Sequence, residues 1–234
     1  MEVGKMKTIG LIGGMSWEST VTYYQLLNEA AKERLGGLHS ASILLYSFDF
    51  AEIEALQSAG NWDACARLLL TAAQKLEAAG ADLLLICTNT QHKVADQVQA
   101  GVNIPVLHIA DAAAEALLAR GIKKAALLGT KYTMTQAFFR DRLERAGVET
   151  LVPAPEEIER INHIIFDQLC LGILDQDSRA RIKRVIDSLS AEGAQGVILG
   201  CTELGLLIGP EDSALPLFDT TRIHAAKAAE WAMG

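Results

Sequence analysis

The sequence predicts an α/β fold of two pseudo-symmetric lobes, each with a mainly four-stranded parallel sheet flanked by helices. Three observations carry this prediction: short apolar runs alternate with helical periods, glycines follow the helical periods, and one segment recurs 113 positions later. Nearly continuous apolar runs are typical of parallel strands, because such strands are buried on both faces. A length of 234 residues suits one large domain or two small ones.

The elements follow in a regular order along the chain. The predicted strands are TIGLIGG (8–14), SASILLYS (40–47), DLLLIC (82–87), VLHIA (106–110), AALLGT (125–130), ETLVPA (149–154), GVILGC (196–201) and PLFDT (216–220). The predicted helices span 17–35, 62–79, 111–120, 134–146, 157–171, 178–192 and 222–233. Glycines at 36, 80, 121, 147 and 193 fit the C-terminal caps of these helices.

An internal repeat predicts the domain organisation. LEAAGADLLLICTNT (76–90) matches LSAEGAQGVILGCTE (189–203), and each copy is a helix end, a glycine, a strand and a polar turn. The match extends from IGLIGGMS (9–16) to ALLGTKYT (126–133), and from IPVLHIADA (104–112) to LPLFDTTRI (215–223). The alternative is a generic α/β rhythm without duplication. A chain that crosses twice predicts one lobe of 1–103 plus 214–234 and a second of 104–213.

Composition narrows the class of protein. The net charge of −8, without a long charge run, argues against a nucleic-acid or membrane-surface partner. No apolar run reaches the ~18 residues of a membrane span. The segment MEVGKMK leads directly into a predicted strand and does not resemble a signal peptide. We expect a cytoplasmic protein that acts on a small molecule.

Neither the cysteines nor the histidines indicate a metal site. The chain has no CxxC pair, and none of its histidines at 39, 108, 163 and 224 is expected to bind a metal. Cys65, Cys87 and Cys170 are expected to be packing residues.

Polar turns mark the predicted substrate site, because ligands of parallel α/β sheets collect at the carboxyl ends of strands and helix N-termini attract anions. Four such turns precede predicted helices: Gly13-Gly14-Met15-Ser16, Thr88-Asn89-Thr90, Thr130-Lys131-Tyr132-Thr133 and Cys201-Thr202-Glu203. The glycines of the first turn fit neither GxGxxG nor GxxxxGK[ST]. They either let the backbone approach a small carboxylate or form a tight turn with Ser16 as N-cap.

Cys201 is the strongest candidate for chemistry. It follows a glycine at the end of an apolar run and is expected to begin a helix, whose N-terminus would lower the thiol pKa from about 8.5. The alternative is a buried core cysteine. Its position beside Thr202 and Glu203 favours a functional role.

Thr88 and His92 each have two interpretations. Thr88 matches Cys201 in the repeat and could donate or relay a proton, although a hydroxyl is a poor base; a threonine at a helix start is also a common cap. His92 could assist proton transfer or orient a neighbour. It could also be bonded to the backbone behind the site.

These motifs resemble the aspartate/glutamate racemase family of cofactor-independent amino-acid racemases. The matching segments are IGLIGGMSWEST (9–20), CTNTQHK (87–93), ALLGTKYTM (126–134) and QGVILGCTELGLL (195–207), so the resemblance covers essentially the whole chain. It implies two α/β lobes with the active site in the interlobe cleft, an aspartate or glutamate substrate and no cofactor. No feature indicates a pyridoxal phosphate lysine, and we expect a homodimer.

Two departures from the family pattern affect the expected chemistry. Typical members carry a cysteine in a CNT motif and another in a GCTE motif, whereas this chain has Thr88 in the first and Cys201 in the second. It therefore resembles a Thr/Cys subgroup of acidic amino-acid racemases that favours one direction. The family also implies an Arg and a Lys on the distal carboxylate. Our alignment puts Gln57 and Leu171 there, which predicts a broader or altered specificity.

The expected reaction is proton transfer at the α-carbon, with Cys201 as the base for L substrates and Thr88 on the opposite face. The expected substrate-binding residues are Met15, Ser16, Gln57, Asn89, Thr90, Thr130 and Thr202, and His92 and Glu203 are expected to support them. Two rivals remain at this point. One is an enzyme like arylmalonate decarboxylase or maleate isomerase, which share this fold, and the other is a weakly catalytic acidic amino-acid binding protein.

Overall fold

The chain forms two compact units, each built around its own parallel sheet. The computed structural model describes residues 6–234, so the first five residues of the MEVGKMK segment lie outside the described residues. One unit runs as far as His108 and also contains His224–Gly234. The other unit is Ile109–Ile223.

The first unit has a four-stranded sheet in the order β2-β1-β3-β4, with every pair parallel. Its strands are β1 (Ile9–Gly13), β2 (Ile43–Ser47), β3 (Leu83–Ile86) and β4 (Val106–Leu107). Its helices are α1 (Trp17–Leu35), α2 (Phe50–Ser58), α3 (Trp62–Ala78) and α4 (Ala95–Gln99), with a 3₁₀ turn at Thr90–Val94.

The second unit repeats this plan in the order β6-β5-β7-β8, again with every pair parallel. Its strands are β5 (Lys124–Gly129), β6 (Glu149–Leu151), β7 (Val197–Gly200) and β8 (Leu217–Asp219). Its helices are α5 (Ile109–Ala119), α6 (Lys131–Thr135), α7 (Ala137–Arg145), α8 (Pro155–Asp167), α9 (Gln176–Ala191) and α10 (Leu204–Leu207), with 3₁₀ turns at Leu169–Leu171 and Pro210–Asp212. Helix α11 (Thr220–Met233) begins here and ends in the first unit. The predicted fold of two four-stranded parallel sheets is confirmed.

Two-residue periodicity explains why both faces of the first sheet are covered. Successive side chains of a strand point to opposite faces. Leu83 and Leu85 pack in a cluster with α1 and α11, whereas Leu84 and Ile86 pack in a cluster with α3 and α4. The second unit has one large core cluster of its own. Across residues 6–234, no helix combines the length and the apolarity that crossing a membrane requires.

The structure moves both predicted crossings between lobes to positions later in the chain. The sequence placed them after residues 103 and 213, but β4 pairs with β3 and therefore belongs to the first sheet. Likewise β8 pairs with β7 in the second sheet, and the return to the first unit falls inside α11, at His224. Hydrogen bonding between strands, which the local pattern does not reveal, decides which unit each short strand joins.

Several element boundaries also differ from the predictions. Helix α2 was not predicted, although Asp49 caps it by accepting from the Ala51 amide. The predicted helix 134–146 is two helices, because Gln136 is extended between them. The strand predicted over 149–154 stops at Leu151, and Pro155 occupies the first turn of α8, where a missing N–H costs nothing.

Candidate active site

Two turns of the first unit lie at the same edge of its sheet. Strands β1 and β3 are parallel neighbours, and the turns that follow them carry Met15 and Ser16 in one case and Thr88, Asn89 and Thr90 in the other. Strands β5 and β7 bring together the corresponding turns of the second unit, at Thr130 and at Cys201. Each sheet therefore gathers two of the predicted turns at its carboxyl edge.

The glycines after β1 are required by the protein's own packing. A Cβ on Gly13 would lie 2.5 Å from the Thr20 side chain, and a Cβ on Gly14 would lie 2.3 Å from the Phe48 carbonyl oxygen. Gly14 also has a φ of 81°, which favours glycine. Ser16 then caps α1, its hydroxyl accepting from the Ser19 amide at 3.4 Å. Of the two interpretations of this turn, the structure supports the tight turn with an N-cap.

The turn after β5 uses the same capping geometry with different residues. Thr130 caps α6, its hydroxyl accepting from the Thr133 amide at 3.3 Å, and the hydroxyls of the two threonines are 3.2 Å apart. The Ser16 and Ser19 hydroxyls are also 3.2 Å apart.

Strand register corrects the predicted alignment of β1 with β5. Leu84 and Val197 match in the repeat, and Leu84 pairs with Gly10 whereas Val197 pairs with Ala126. Gly10 therefore corresponds to Ala126, so the predicted alignment is off by one residue.

The Thr88 turn is held from behind by a histidine. His92 Nδ1 lies 2.8 Å from the Thr88 carbonyl oxygen, and because a carbonyl only accepts, Nδ1 is the donor. Thr88 is half-buried, whereas Asn89, Thr90 and His92 are buried. The element that follows is a short 3₁₀ turn, so little helix dipole reaches this position.

Gln57 is buried at the end of α2, where it pairs with a residue that the sequence did not single out. The Gln91 side-chain amide donates to Gln57 Oε1 at 3.1 Å, and both residues are less than 5% exposed. The acceptor end of the Gln57 amide is therefore occupied by Gln91. The Nε2 end is the part of Gln57 that can donate to a ligand.

Cys201 lies in a buried turn with a carboxylate beside its thiol. Its Sγ donates to Glu203 Oε2 at 3.0 Å, and the Thr202 hydroxyl donates to the same oxygen at 2.6 Å. Cys201 and Glu203 are buried, and Thr202 is half-buried. The thiol proton therefore already points at a group able to accept it.

The expected lowering of the Cys201 thiol pKa is wrong. Burial, and then the nearby Glu203 carboxylate, raise the pKa of the thiol well above its ordinary value. Helix α10 begins three residues after Cys201, at Leu204, and has only four residues, so its N-terminus offsets little of this. The resting group is a thiol rather than a thiolate.

The remaining cysteines and Leu171 take no part in the Cys201–Glu203 contact, although Cys170 is close enough to Cys201 to raise the pKa of its thiol slightly further. Cys65 and Cys87 are fully buried core residues, as predicted, and burial raises the pKa of both thiols. Cys170 is half-buried and packs against the core of the second unit. Leu171, expected near a position where the resemblance implies a cationic residue, is 69% exposed in a 3₁₀ turn.

Sequence reasoning missed three residues that contact the predicted site residues or their neighbours. Gln91 lies inside the CTNTQHK motif, and its position in a polar turn was an available signal. Tyr23 and His224 are bonded to each other at 2.7 Å although 201 positions separate them, so no local pattern could pair them.

Comparison with known proteins places the chain in a family. The sequence pattern of the Asp/Glu/Hydantoin racemase family matches residues 12–228. A candidate Asp/Glu racemase from Yersinia pestis is 53% identical with a TM-score of 0.92, over 98% of this chain and 100% of that one. An aspartate racemase homologue from Pyrococcus horikoshii OT3 is 42% identical with a TM-score of 0.86, over 98% of this chain and 100% of that one.

A curated relative extends the comparison. The broad specificity amino-acid racemase RacX of Bacillus subtilis (strain 168) is 22% identical over 222 residues, which are 91% of this chain and 92% of the relative. The predicted family and the predicted enzyme class, an isomerase of the amino-acid racemase type, are confirmed by these matches. The chain belongs to the Asp/Glu/hydantoin racemase family.

Proposed function

We propose that this protein is a cofactor-independent racemase of aspartate, glutamate or both, with Cys201 as the base for L substrates and Thr88 on the opposite face. The observation that carries the proposal is the hydrogen bond of 3.0 Å from the buried Cys201 thiol to Glu203. A general base must first lose its own proton, and here an acceptor for that proton is in place. Family membership supplies the reaction class, and this contact supplies the residue.

Glu203 takes the thiol proton in the first step of the proposed mechanism. Transfer within the pair leaves its net charge unchanged, so burial opposes it less than it opposes loss of the proton to water. The substrate's α-ammonium group adds a positive charge, which favours the thiolate further. The base is therefore formed when substrate is bound, in keeping with the raised pKa of the free thiol.

The thiolate then removes the α-hydrogen of the L enantiomer as a proton. The electron pair of the broken C–H bond remains on the α-carbon and spreads into the α-carboxylate. Asn89 and Thr90 bind this carboxylate, and Thr202 joins them when its hydroxyl turns away from Glu203, which has then taken the thiol proton. These hydrogen bonds strengthen as the negative charge of the carboxylate grows. Each hydrogen bond to a charged group is worth about 1.5–3 kcal/mol.

Thr88 completes the reaction by donating its hydroxyl proton to the opposite face of the α-carbon, which forms the D enantiomer. Water then replaces that proton, because the Nδ1–H of His92 is taken by the Thr88 carbonyl. The hydroxide left behind removes the proton that Glu203 accepted, which restores the resting protein. A hydroxyl is a poor base, so L substrate should exchange its α-proton through Cys201 faster than D substrate exchanges its own through Thr88. The prediction that both units contribute to one substrate site, in a cleft between them, is part of this proposal.

Side-chain selection falls to Gln57, and Met15, Ser16 and Thr130 complete the binding residues. A neutral amide can donate to a distal carboxylate but lacks the charge of an arginine, so it favours one chain length less strongly. This supports turnover of both aspartate and glutamate.

Two further properties stay predictions. We expect the protein to be a homodimer, which light scattering tests, and to be located in the cytoplasm, which cell fractionation tests.

Proton NMR in deuterium oxide with L- and D-aspartate and L- and D-glutamate tests the proposed function. We expect loss of the α-proton signal with the unchanged protein, faster from L than from D. Cys201→Ser should abolish exchange while substrate still binds in calorimetry. Exchange above a few per cent in Cys201→Ser would remove Cys201 as the base.

The same assays separate the two rival functions. Release of carbon dioxide from a malonate, or turnover of maleate, without α-proton exchange would favour the decarboxylase or isomerase. Tight binding of acidic amino acids without α-proton exchange would favour the binding protein.

A further inference from the structure

Three histidines and a tyrosine form a buried group in the first unit. His92, His108 and His224 are each no more than 6% exposed, and Tyr23 is fully buried. The His92 ring centroid lies 4.6 Å from that of His108 and 5.6 Å from that of His224, both in edge contact. Tyr23 meets His224 edge-on at 5.6 Å. We call Tyr23, His92 and His224 the histidine scaffold.

The hydrogen bonds of His224 fix its protonation. Its Nε2 lies 2.9 Å from the Leu107 carbonyl oxygen, which can only accept, so Nε2 carries the hydrogen. Burial, and then the neighbouring His92, lower the pKa of His224 to about 3, so the ring is neutral and Nδ1 is an acceptor. The Tyr23 hydroxyl therefore donates to Nδ1 across 2.7 Å. Tyr23 on α1 thus orients a ring on α11 that is tied to the end of β4.

His92 links this pair to the Thr88 turn. Its ring packs edge-on against His224, and its Nδ1–H donates to the Thr88 carbonyl oxygen at 2.8 Å. The Nδ1–H of His92 and the Nε2–H of His224 both end on backbone carbonyls. A carbonyl accepts a hydrogen bond but passes no proton on, so these contacts orient groups rather than relay protons.

We infer that Tyr23 and His224 are positioning residues for Thr88, which they hold through the His92 ring and the Thr88 carbonyl. The inference rests on the proposed function, in which the Thr88 hydroxyl protonates one face of the α-carbon. The Thr88 turn leads only into a short 3₁₀ turn. The scaffold supplies the rigidity that a longer capped helix would give. A misplacement of about 1 Å can cost about 100-fold in rate.

Separate rates for the two faces of the α-carbon test this inference. In deuterium oxide, deuterium gained by L substrate that stays L reports the Cys201 face, and appearance of D product reports the Thr88 face. Tyr23→Phe removes only the hydroxyl and should lower D-product formation about three- to tenfold. The exchange into L substrate should fall less than D-product formation, because Cys201 lies outside the scaffold and only the Asn89 and Thr90 contacts are shared by both faces. The matched control is Tyr24→Phe, on the same helix but 56% exposed, which should change neither rate.

Rescue at His92 separates positioning from general loss of structure. An asparagine amide nitrogen can occupy the place of Nδ1 and donate to the Thr88 carbonyl, whereas leucine cannot. His92→Leu should lower D-product formation by about tenfold or more, and His92→Asn should recover most of it. Tyr23→Phe should add nothing in the His92→Leu background, because its effect passes through that ring.

The outcomes distinguish this inference from the proposed function. Equal losses on both faces in Tyr23→Phe, or equal losses in His92→Leu and His92→Asn, would overturn the positioning role while the racemase proposal stands. A complete absence of α-exchange in the unchanged protein would overturn both.

Discussion

The Cys201 thiol donates a hydrogen bond to the Glu203 carboxylate across 3.0 Å, and both side chains are buried. Burial and the charge of Glu203 raise the pKa of the thiol, so the contact favours the protonated form. The same carboxylate is the acceptor that the thiol needs in order to become a base. Glu203 therefore opposes free thiolate formation and yet supports proton transfer, and the two effects can be measured separately.

Glu203→Gln should separate these effects. Without the carboxylate charge, the pKa of Cys201 should fall, and the thiol should react with iodoacetamide at lower pH than before. α-Proton exchange should nevertheless decrease, by about 100-fold, because the thiol proton has lost its acceptor. Alkylation rates and exchange rates measured against pH report the two quantities, with exposed Glu192→Gln as the control. If the alkylation rate and the exchange rate rise together or fall together in Glu203→Gln, Glu203 is not the acceptor of the thiol proton.

Gly14 should tolerate a side chain far less well than Gly60. Both have positive φ, 81° and 70°, so alanine strains the backbone at each by about 1–2 kcal/mol. A Cβ at Gly14 also meets the Phe48 carbonyl at 2.3 Å, whereas Gly60 has open space. We expect Gly14→Ala to lose a further ~1–3 kcal/mol of unfolding free energy in urea. Equal losses in the two variants would show that the turn can relax around the clash.

The fold could be predicted because each sheet is specified locally. Buried parallel strands such as Leu83–Ile86 need continuous apolar runs, and the glycines after the helices mark where each helix ends. The placement of β4 and β8 could not be predicted in the same way. These strands have two and three residues, and their unit is decided by pairing with β3 and β7 rather than by their own composition.

Candidate residues at strand ends could be named from the sequence, but their electrostatics could not. Cys201 was predicted to have a lowered pKa because a helix was expected to start there, whereas the structure provides burial and Glu203 instead. The Tyr23–His224 contact joins helices at opposite ends of the chain. Such contacts depend on packing, which no periodicity records.

Asp212 should make the second unit sensitive to acid. It accepts from Arg179, Lys183 and the Gly209 amide, and the Arg179 hydrogen bond above all lowers its pKa to about 2. Because the folded pKa lies below the unfolded one, this stabilisation is present above about pH 4 and is lost as the pH falls through 2. Asp212→Asn should lower the melting temperature by a few degrees at pH 7 and by less near pH 2. The control, exposed Asp187→Asn, should leave the melting temperature unchanged at both pH values. A melting-temperature loss in Asp212→Asn that is the same at pH 7 and near pH 2 would contradict the assigned role of Asp212.

Thr88→Cys should restore a base on the second face of the α-carbon. A thiol of pKa about 8.5 can abstract a proton near neutrality, whereas a threonine hydroxyl cannot. We expect α-proton exchange of D-aspartate or D-glutamate to rise about 100-fold, with a smaller gain for the L forms, which already exchange through Cys201. The ratio of enantiomers at equilibrium cannot change, because a catalyst lowers the forward and reverse barriers of a step equally. The asymmetry of the unchanged protein must therefore appear in the initial rates of α-proton exchange, followed by proton NMR in deuterium oxide from each pure enantiomer. Thr71→Cys, an exposed substitution on α3, controls for the added thiol. Equal initial rates from D and L in the unchanged protein, or no gain for D in Thr88→Cys, would show that the Thr88–Cys201 difference does not set the direction.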